Sequence, residues 1–136
     1  MKDFYLTQTK ADLAIRTLLV LRQARDPLLA HDFQRVNDLC QQMRQEAQAR
    51  ITVILADGTV VADSEEEPAK MDNHGDREEV VTALSGGVGV STRFSRTISK
   101  DMLYVAAPVP SDQKKTDGTR SSFIGVIRLS IPLTPV

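Results

Sequence analysis

The spacing of apolar residues changes at Arg50, from every third or fourth position to every second position. The next segment, ITVILADGTVVADS, is typical of two short strands that are apolar on both faces. The Asp57-Gly58 pair between them predicts a type I′ hairpin turn, which needs positive φ at both central residues. A polar loop, a short helix (DREEVVTALSGG) and a strand pair (VGVSTRFSRTISKDMLYVAAPV) complete the segment to Val109. Because the first two strands are apolar on both faces, we expect the sheet to be covered on both sides.

Two helices are predicted before the sheet. The first covers about 3–25 and ends at Asp26-Pro27, because a proline disfavours helix in the residue before it. Its apolar stripe consists of Ala11, Ala14, Leu18 and Leu21, and it is widened by Leu6, Leu13 and Val20. Such a helix packs either on one broad core face or on two surfaces, the sheet and a second copy of the chain. The candidate dimer-interface residues are Leu6, Leu13, Leu18 and Leu21.

The second helix covers about 32–49, with Asp32 as its N-cap. It carries Cys40, the only cysteine, which is either a small buried apolar residue, an interchain bridge or a reactive thiol. In the short third helix, we expect Asp76 to be the N-cap and Glu79 to complete a capping box. Gly86-Gly87 is expected to end that helix.

The remaining strands are expected at 88–95, 102–109 and 123–131, with a polar linker at 110–122. The sequence therefore predicts an α+β fold in a single domain, 1–136. A helical part, 3–49, packs on a five-stranded, mainly antiparallel sheet, 50–131, that has a short inserted helix.

Composition excludes several classes of function. The formal net charge of −1 provides no basic surface for nucleic acid. Aromatic residues make up 4% of the chain and tryptophan is absent, so the core is aliphatic and base stacking is disfavoured. The best candidate for a span, the apolar run 18–21, lies between Arg16 and Arg22 and is far shorter than the about 18 residues that a membrane span needs. The chain is therefore expected to be soluble as it stands, or to be a piece from between two spans.

One group of polar residues is a candidate anion site. Arg93 lies on the third strand with Ser91 and Ser95 on the same face, and His74 and Arg77 belong to the loop and helix that precede it. A strand guanidinium facing a loop can bind a carboxylate or phosphate through two hydrogen bonds. Alternatively, Arg93 pairs with one of the many nearby carboxylates. Tyr104, on the fourth strand, is a further candidate ligand-binding residue.

The sequence gives less support to metal binding, nucleophilic catalysis or a phosphate-binding loop. His74 with Asp72, Asp76 and Glu65–Glu67 is either a weak cation site or a solvated acidic loop, and we expect no metal. No serine has the strand-to-helix setting of a catalytic nucleophile. The glycines at 86–89 follow a helix, whereas a phosphate-binding loop precedes one. We therefore expect no catalytic residue and no cofactor.

Several segments, taken together and in order, resemble a known family. They are the DG hairpin with V-x-A-D-S, the N-H-x-x-R loop, the R-x-S-x-T strand, M-L-Y-V-A-x-P and G-V-I-R-L-S. The chain resembles the extracytoplasmic sensor domain of phosphate-regulon-type sensor histidine kinases over nearly its whole length.

This resemblance implies a PAS-like PDC (single Cache) fold, located between two membrane spans and forming a homodimer along the first helix. It also implies a signal-input role, in response to a small anionic ligand or a partner protein. Related carboxylate sensors have a second basic residue two positions after the strand arginine, where this chain has Ser95. The alternatives are a ligand-free dimerisation or protein-interaction module, and the input domain of a chemoreceptor or cyclase.

Overall fold

The computed structural model of the chain describes residues 2–111 and 122–134, and the side chains from residue 4 onward. Helices α1 (Lys2–Leu29) and α2 (Phe33–Ala47) come first. Strands β1 (Arg50–Leu55) and β2 (Val60–Asp63), a short 3-10 helix (Pro68–Lys70) and helix α3 (Glu78–Leu84) come next. Strands β3 (Gly89–Ser95), β4 (Lys100–Pro110) and β5 (Phe123–Pro132) end the fold. The α+β architecture is as predicted, and residues 112–121 of the predicted linker lie outside the described residues.

The five strands form one antiparallel sheet in the order β2-β1-β5-β4-β3. The last strand in the sequence is thus central, and its pairing with β1 and β4 places Thr52 opposite Arg128 and Tyr104 opposite Ser130. Since side chains alternate along a strand, these residues all project from the same face of the sheet.

The two faces of the sheet differ in character. One face packs on α1 and α2 and forms the main core, with the fully buried strand residues Ile51, Val53, Leu103, Val105, Ile127 and Leu129. The opposite face has a smaller apolar cluster at one end, where Val80 and Ala83 of α3 contact Ile54 and Val126. The rest of that face is polar, and it positions the candidate site.

The packing of α1 differs from the predicted stripe. The buried residues of α1 are Leu13, Thr17, Val20, Ala24 and Leu28, which recur every three or four positions, whereas Ala11 and Leu18 are exposed. The hydroxyl of Thr17 donates to the carbonyl of Leu13 at 2.7 Å, and this bond allows a polar residue to lie on the core face. The helix also continues past Pro27 to Leu29, because Leu28 is completely buried and fixes the last turn.

The N-cap predicted for α2 is confirmed, whereas the turn type predicted for the hairpin is not. Asp32 caps α2 as predicted, and its carboxylate accepts from the backbone N–H of Arg35. The hairpin lies at Asp57-Gly58, but the predicted type I′ turn is wrong, since only Gly58 has positive φ, at 90°. The turn instead has three residues, 56–58, between Leu55 and Thr59, and it is closed by a bond from the N–H of Leu55 to the carbonyl of Thr59. A Cβ atom at Gly58 would lie 2.1 Å from Oδ1 of Asn73, so the following loop packs against this turn.

Candidate ligand-binding site

A cavity of about 1590 Å³ lies over the polar half of the sheet, beside α3. Its floor consists of residues from β3, β4 and β5, and its sides come from α2, the segment after β2 and the loop before α3. Ligand pockets typically measure roughly 300–1,000 Å³, so there is room for a small molecule and its hydration water. The sheet face is exposed here because α3 has only seven residues and covers only the apolar end.

Glu79 of α3 is the centre of the hydrogen bonding beside this cavity. Its side chain is fully buried. Oε1 accepts from Arg93 Nη1 at 2.5 Å and from Ser91 Oγ at 3.1 Å. Oε2 accepts from Arg93 Nη2 at 3.0 Å and from Arg128 Nη1 at 3.1 Å. One carboxylate therefore joins α3 to both β3 and β5.

Tyr104 lies between the two arginines on the floor. The guanidinium carbon of Arg93 is 3.9 Å from the centre of the tyrosine ring, and that of Arg128 is 4.9 Å from it. Both distances fall within the range of favourable cation–π contacts. The aromatic ring thus supports two positive charges side by side, while Glu79 neutralises part of their charge.

Burial and mutual contact determine the ionisation states of Glu79, Arg93 and Arg128. Burial tends to raise the pKa of Glu79, but hydrogen bonds from Arg93 and the charge of Arg128 outweigh it and lower the pKa to about 2. The bond to Glu79 raises the pKa of Arg93, whereas burial lowers the pKa of Arg128. Arginine keeps its proton in proteins, so both guanidinium groups are cationic and Glu79 is anionic at neutral pH.

His74 lies at the edge of the same cavity and is 7% exposed. Its Nδ1 is 2.7 Å from the backbone carbonyl of Asp72, which can only accept, so Nδ1 carries a proton and donates. Burial lowers the pKa of His74, and the charge of Arg128 lowers it further. The ring is therefore neutral at neutral pH, and its Nε2 is a hydrogen-bond acceptor.

A second buried carboxylate, that of Asp63, bonds to residues that form another wall of the cavity, namely Arg50, Glu65 and Glu66. Asp63 accepts from Thr52 Oγ1 at 2.8 Å and from Arg50 Nε at 3.1 Å, as well as from the N–H groups of Glu65 and Glu66. Thr52 also accepts from Arg128 Nη2 at 3.4 Å, which connects this wall to the Glu79 group.

The acidic segment after β2 is paired with basic side chains. Glu65 and Glu66 lie within 4 Å of Arg50, and Glu65 also contacts Arg44 of α2. Glu67 contacts Lys70 in the following turn. Within 2–111 and 122–134, no three His, Cys, Asp or Glu side chains come together in a way that could hold a metal ion.

Five of the six sequence-predicted site residues line this one cavity: His74, Arg77, Arg93, Ser95 and Tyr104. The sixth, Ser91, is buried behind them and bonds to Glu79 and Arg93. Of the two alternatives for Arg93, the structure shows the pairing with a nearby carboxylate. Arg93 nevertheless keeps 36% of its side chain exposed, so it is accessible from the cavity.

Two important residues of the site were missed or misassigned. Arg128 was not singled out, although a lone charge within the apolar strand GVIRLS already indicated a special role. The predicted capping box is wrong: Arg77 occupies the N-cap position of α3 and its side chain makes no capping bond, and Glu79 points into the sheet face. Asp76 instead pairs with Arg77 at 2.9 Å.

The candidate dimer residues occupy different environments. Leu13 is fully buried in the core of the chain itself, so it cannot belong to an exposed interface. Leu6 and Leu21 are partly buried, and Leu18 is 48% exposed. The exposed large apolar residues of the described part of α1 are Phe4, Ile15, Leu18 and Leu19.

Cys40 is 1% exposed. Burial, together with the charge of Asp63, raises the pKa of its thiol to about 12. The thiol is therefore protonated and inaccessible, which is the state of a small apolar core residue.

The fold and the cavity define a sensor-type α+β domain, and comparison with known families agrees. The family model described as Single Cache-like matches residues 29–122, and the chain belongs to this family. Cache sensor domains are extracytoplasmic, ligand-binding input modules of membrane receptors and are not catalytic, so this domain is not an enzyme. No helix in the described part of the chain is both long enough and apolar enough to cross a bilayer.

Solved structures share the fold at low sequence identity. The ligand-binding domain of a Campylobacter jejuni chemoreceptor in complex with 4-methylisoleucine is 18% identical, with a TM-score of 0.66 over 96% of this chain and 52% of its own. The sensor domain of the V. cholerae histidine kinase DctB is 18% identical, with a TM-score of 0.54 over 85% of this chain and 42% of its own.

A third structure, the ligand-binding domain of the Pseudomonas fluorescens chemoreceptor CtaA with L-serine, is 16% identical, with a TM-score of 0.60 over 95% of this chain and 58% of its own. The chain thus spans about half the length of these structures. A search of curated proteins finds no match.

Proposed function

We propose that this chain is the ligand-sensing input domain of a bacterial membrane receptor, and specifically of a sensor histidine kinase of phosphate-regulon type. Membership of the Single Cache-like family supports the sensing role. The kinase assignment is supported by the ordered set of motifs from the DG hairpin to G-V-I-R-L-S. In this proposal the domain lies outside the cytoplasm, and membrane spans flank it.

The observation that carries the proposal is the cavity over the polar half of the sheet. Its lining combines cationic, aromatic and neutral-imidazole groups, namely Arg93, Tyr104 and His74. Such a mixture suits a small polar molecule with an anionic or hydrogen-bonding group, because convergent polar groups in a concave site fix a ligand's orientation. The ligand would contact the exposed side of Arg93, while Glu79 holds the buried side.

A physical connection runs from the cavity to the helices. On the cavity wall, Glu65 contacts Arg44 of α2 at 3.1 Å, and the N–H of Asp63 donates to Asn37 of the same helix. In the same last turn of α2 as Arg44, the carbonyl of Ala47 accepts from Arg16 of α1 at 2.6 Å. A ligand that draws this wall inward would therefore displace α2 and then α1, the helix that would continue into the first membrane span.

The test is a thermal-shift screen of the chain with carboxylates, amino acids, phosphate and divalent ions. We expect at least one compound to raise the melting temperature saturably, because binding to the folded state alone stabilises it. The blocking variant is Ser95→Trp, which places a large ring in the cavity, and we expect it to abolish the shift.

The matched control is Thr92→Trp, on the exposed, opposite face of the same strand. On addition of the ligand, the melting temperature of this control should rise as much as that of the unmodified chain. If the whole panel is silent, or if both variants respond equally, the ligand-sensing proposal is wrong.

We also propose a homodimer that is formed along α1. The apolar side chains of Ile15, Leu18 and Leu19 are 60%, 48% and 52% exposed and lie on adjoining turns of the helix. Ile15→Glu with Leu18→Glu should reduce the sedimentation coefficient to that of a monomer, while Gln34→Glu, at an exposed position of α2, should not. A folded double variant with an unchanged sedimentation profile would rule out this interface.

The chemoreceptor alternative is supported by the likeness of the fold to chemoreceptor domains. The two receptor types differ in the output domain after the second membrane span, so sequencing the complete reading frame distinguishes them. A ligand-free interaction module is the second alternative, and a silent ligand panel would favour it.

A further inference from the structure

The carboxylate of Glu79 is bound in the way that a protein binds a small carboxylate ligand. Each of its oxygens accepts two hydrogen bonds, from Arg93 and Ser91 on one side and from Arg93 and Arg128 on the other. The contact with Arg93 is bidentate, with distances of 2.5 and 3.0 Å, which is the geometry in which arginine recognises free carboxylates. Tyr104 supports both guanidinium groups from below.

Charge and burial show that this arrangement needs an anion. Arg128 is 4% exposed and cannot be solvated by bulk water. Its Nε has no hydrogen-bond partner among the described residues, so Glu79 provides the main compensation for its charge. A buried guanidinium such as that of Arg128, close to a second cation and without a counter-ion, is strongly unfavourable, because water no longer screens its charge.

The backbone keeps Glu79 in this position. A Cβ atom at Gly89 would lie 2.0 Å from the carbonyl oxygen of Glu79, so the start of β3 packs directly on the backbone of α3 at this residue. Glu79 therefore approaches the arginines from a fixed backbone, and only its side chain would have to move to leave them.

We propose that Arg93, Arg128, Ser91 and Tyr104 form a carboxylate-binding site whose resident ligand is Glu79 of the chain itself. This inner site is filled in the unliganded protein, and an external carboxylate enters it only when Glu79 is removed. An external ligand of the sensor consequently binds in the outer part of the cavity, around the exposed side of Arg93. The inference deepens the proposed function, but it concerns a different part of the cavity.

The experiment uses Glu79→Ala with acetate as the probe. This substitution removes the atoms beyond Cβ, which correspond to acetate in size and charge. We expect acetate to raise the melting temperature of the variant saturably, by at least about 3 °C relative to chloride at the same ionic strength. Propionate, which is one carbon larger, should be less effective. The unmodified chain should respond equally to acetate and chloride.

Two variants serve as controls. Glu79→Gln loses the same charge but still fills the space, and acetate should stabilise it no more than chloride does. Glu78→Ala changes the exposed neighbour in the same helical turn and should behave like the unmodified chain. If acetate and chloride affect Glu79→Ala equally, or if acetate stabilises Glu78→Ala as much, the inference is overturned.

If Glu79→Ala is unfolded in chloride, the readout becomes refolding from urea, followed by far-ultraviolet circular dichroism. Recovery of the helical signal in acetate but not in chloride supports the inference, and equal behaviour in the two salts overturns it. The ligand screen for the proposed function uses the unmodified chain, in which the inner site is filled. The two experiments can therefore fail independently.

Discussion

Replacing Glu79 by glutamine should remove a defined part of the pH dependence of stability. In the folded protein the pKa of Glu79 is lowered from an ordinary value of 4.5 to about 2. A difference of one in pKa corresponds to about 1.4 kcal/mol, so ionised Glu79 contributes about 3 kcal/mol to the free energy of unfolding. Because the folded-state pKa is the lower one, this contribution is complete above the unfolded-state pKa and is lost as the pH falls from there towards about 2.

The assay is urea-induced unfolding, followed by far-ultraviolet circular dichroism from neutral pH down to about pH 2. At neutral pH, Glu79→Gln should lower the free energy of unfolding by about 3–5 kcal/mol, the usual effect of removing one partner of a buried ion pair. The difference between the two proteins should then shrink by about 3 kcal/mol as the pH falls through the range in which Glu79 takes up its proton.

Glu78→Gln is the matched control, because Glu78 is exposed in the same helical turn. It should stay close to the unmodified chain at every pH. If the curves of Glu79→Gln and the unmodified chain run parallel over the whole pH range, Glu79 is not held as an anion by Arg93 and Arg128, and the electrostatic account of the site is wrong.

Three further predictions concern single positions. Burial raises the pKa of Cys40 to about 12, so its thiol should react with a disulfide reagent only after unfolding, and rapid labelling of the native protein would contradict this. Gln48 has a left-handed φ of 49° at the end of α2, so Gln48→Gly should raise the free energy of unfolding by up to about 1 kcal/mol in urea titrations, whereas a clear loss would refute it. Gly89→Ala should destabilise the fold by about 3 kcal/mol or more, since its Cβ would lie 2.0 Å from the carbonyl oxygen of Glu79. Gly87→Ala, with no heavy atom within 4 Å of its new Cβ, should change little in the same titration, and equal effects at the two glycines would contradict the close packing.

The sheet was predictable because its signals are local. Alternating apolar residues and the DG pair indicate the β1–β2 hairpin, and the apolar segment that contains Ile127 and Leu129 indicates β5. The face of α1 was harder to predict, since the core position at Thr17 is polar and interrupts the apolar spacing. Its hydroxyl bonds within the helix, and the sequence pattern gives no indication of that.

The candidate site was only partly predictable, because its central contacts connect residues that are far apart in the chain. Arg93 and Tyr104 were expected near the ligand from their strand positions, and both line the cavity. The local pattern predicts a capping role for Glu79, since an acidic residue three positions after Asp76 fits a capping box. One of its actual partners, Arg128, is 49 residues away, and only the sheet order places β5 within reach of α3.

The most direct test of the sensing account is a backbone N–H NMR titration of the isotope-labelled chain with the compound that gives the largest thermal shift. We expect concentration-dependent shifts at residues around the cavity, including Arg93, Tyr104 and His74, and smaller ones along α2 beside Arg44. Shifts confined to the exposed face of α1 around Leu18, or the absence of shifts around the cavity, would contradict a ligand site on the polar half of the sheet.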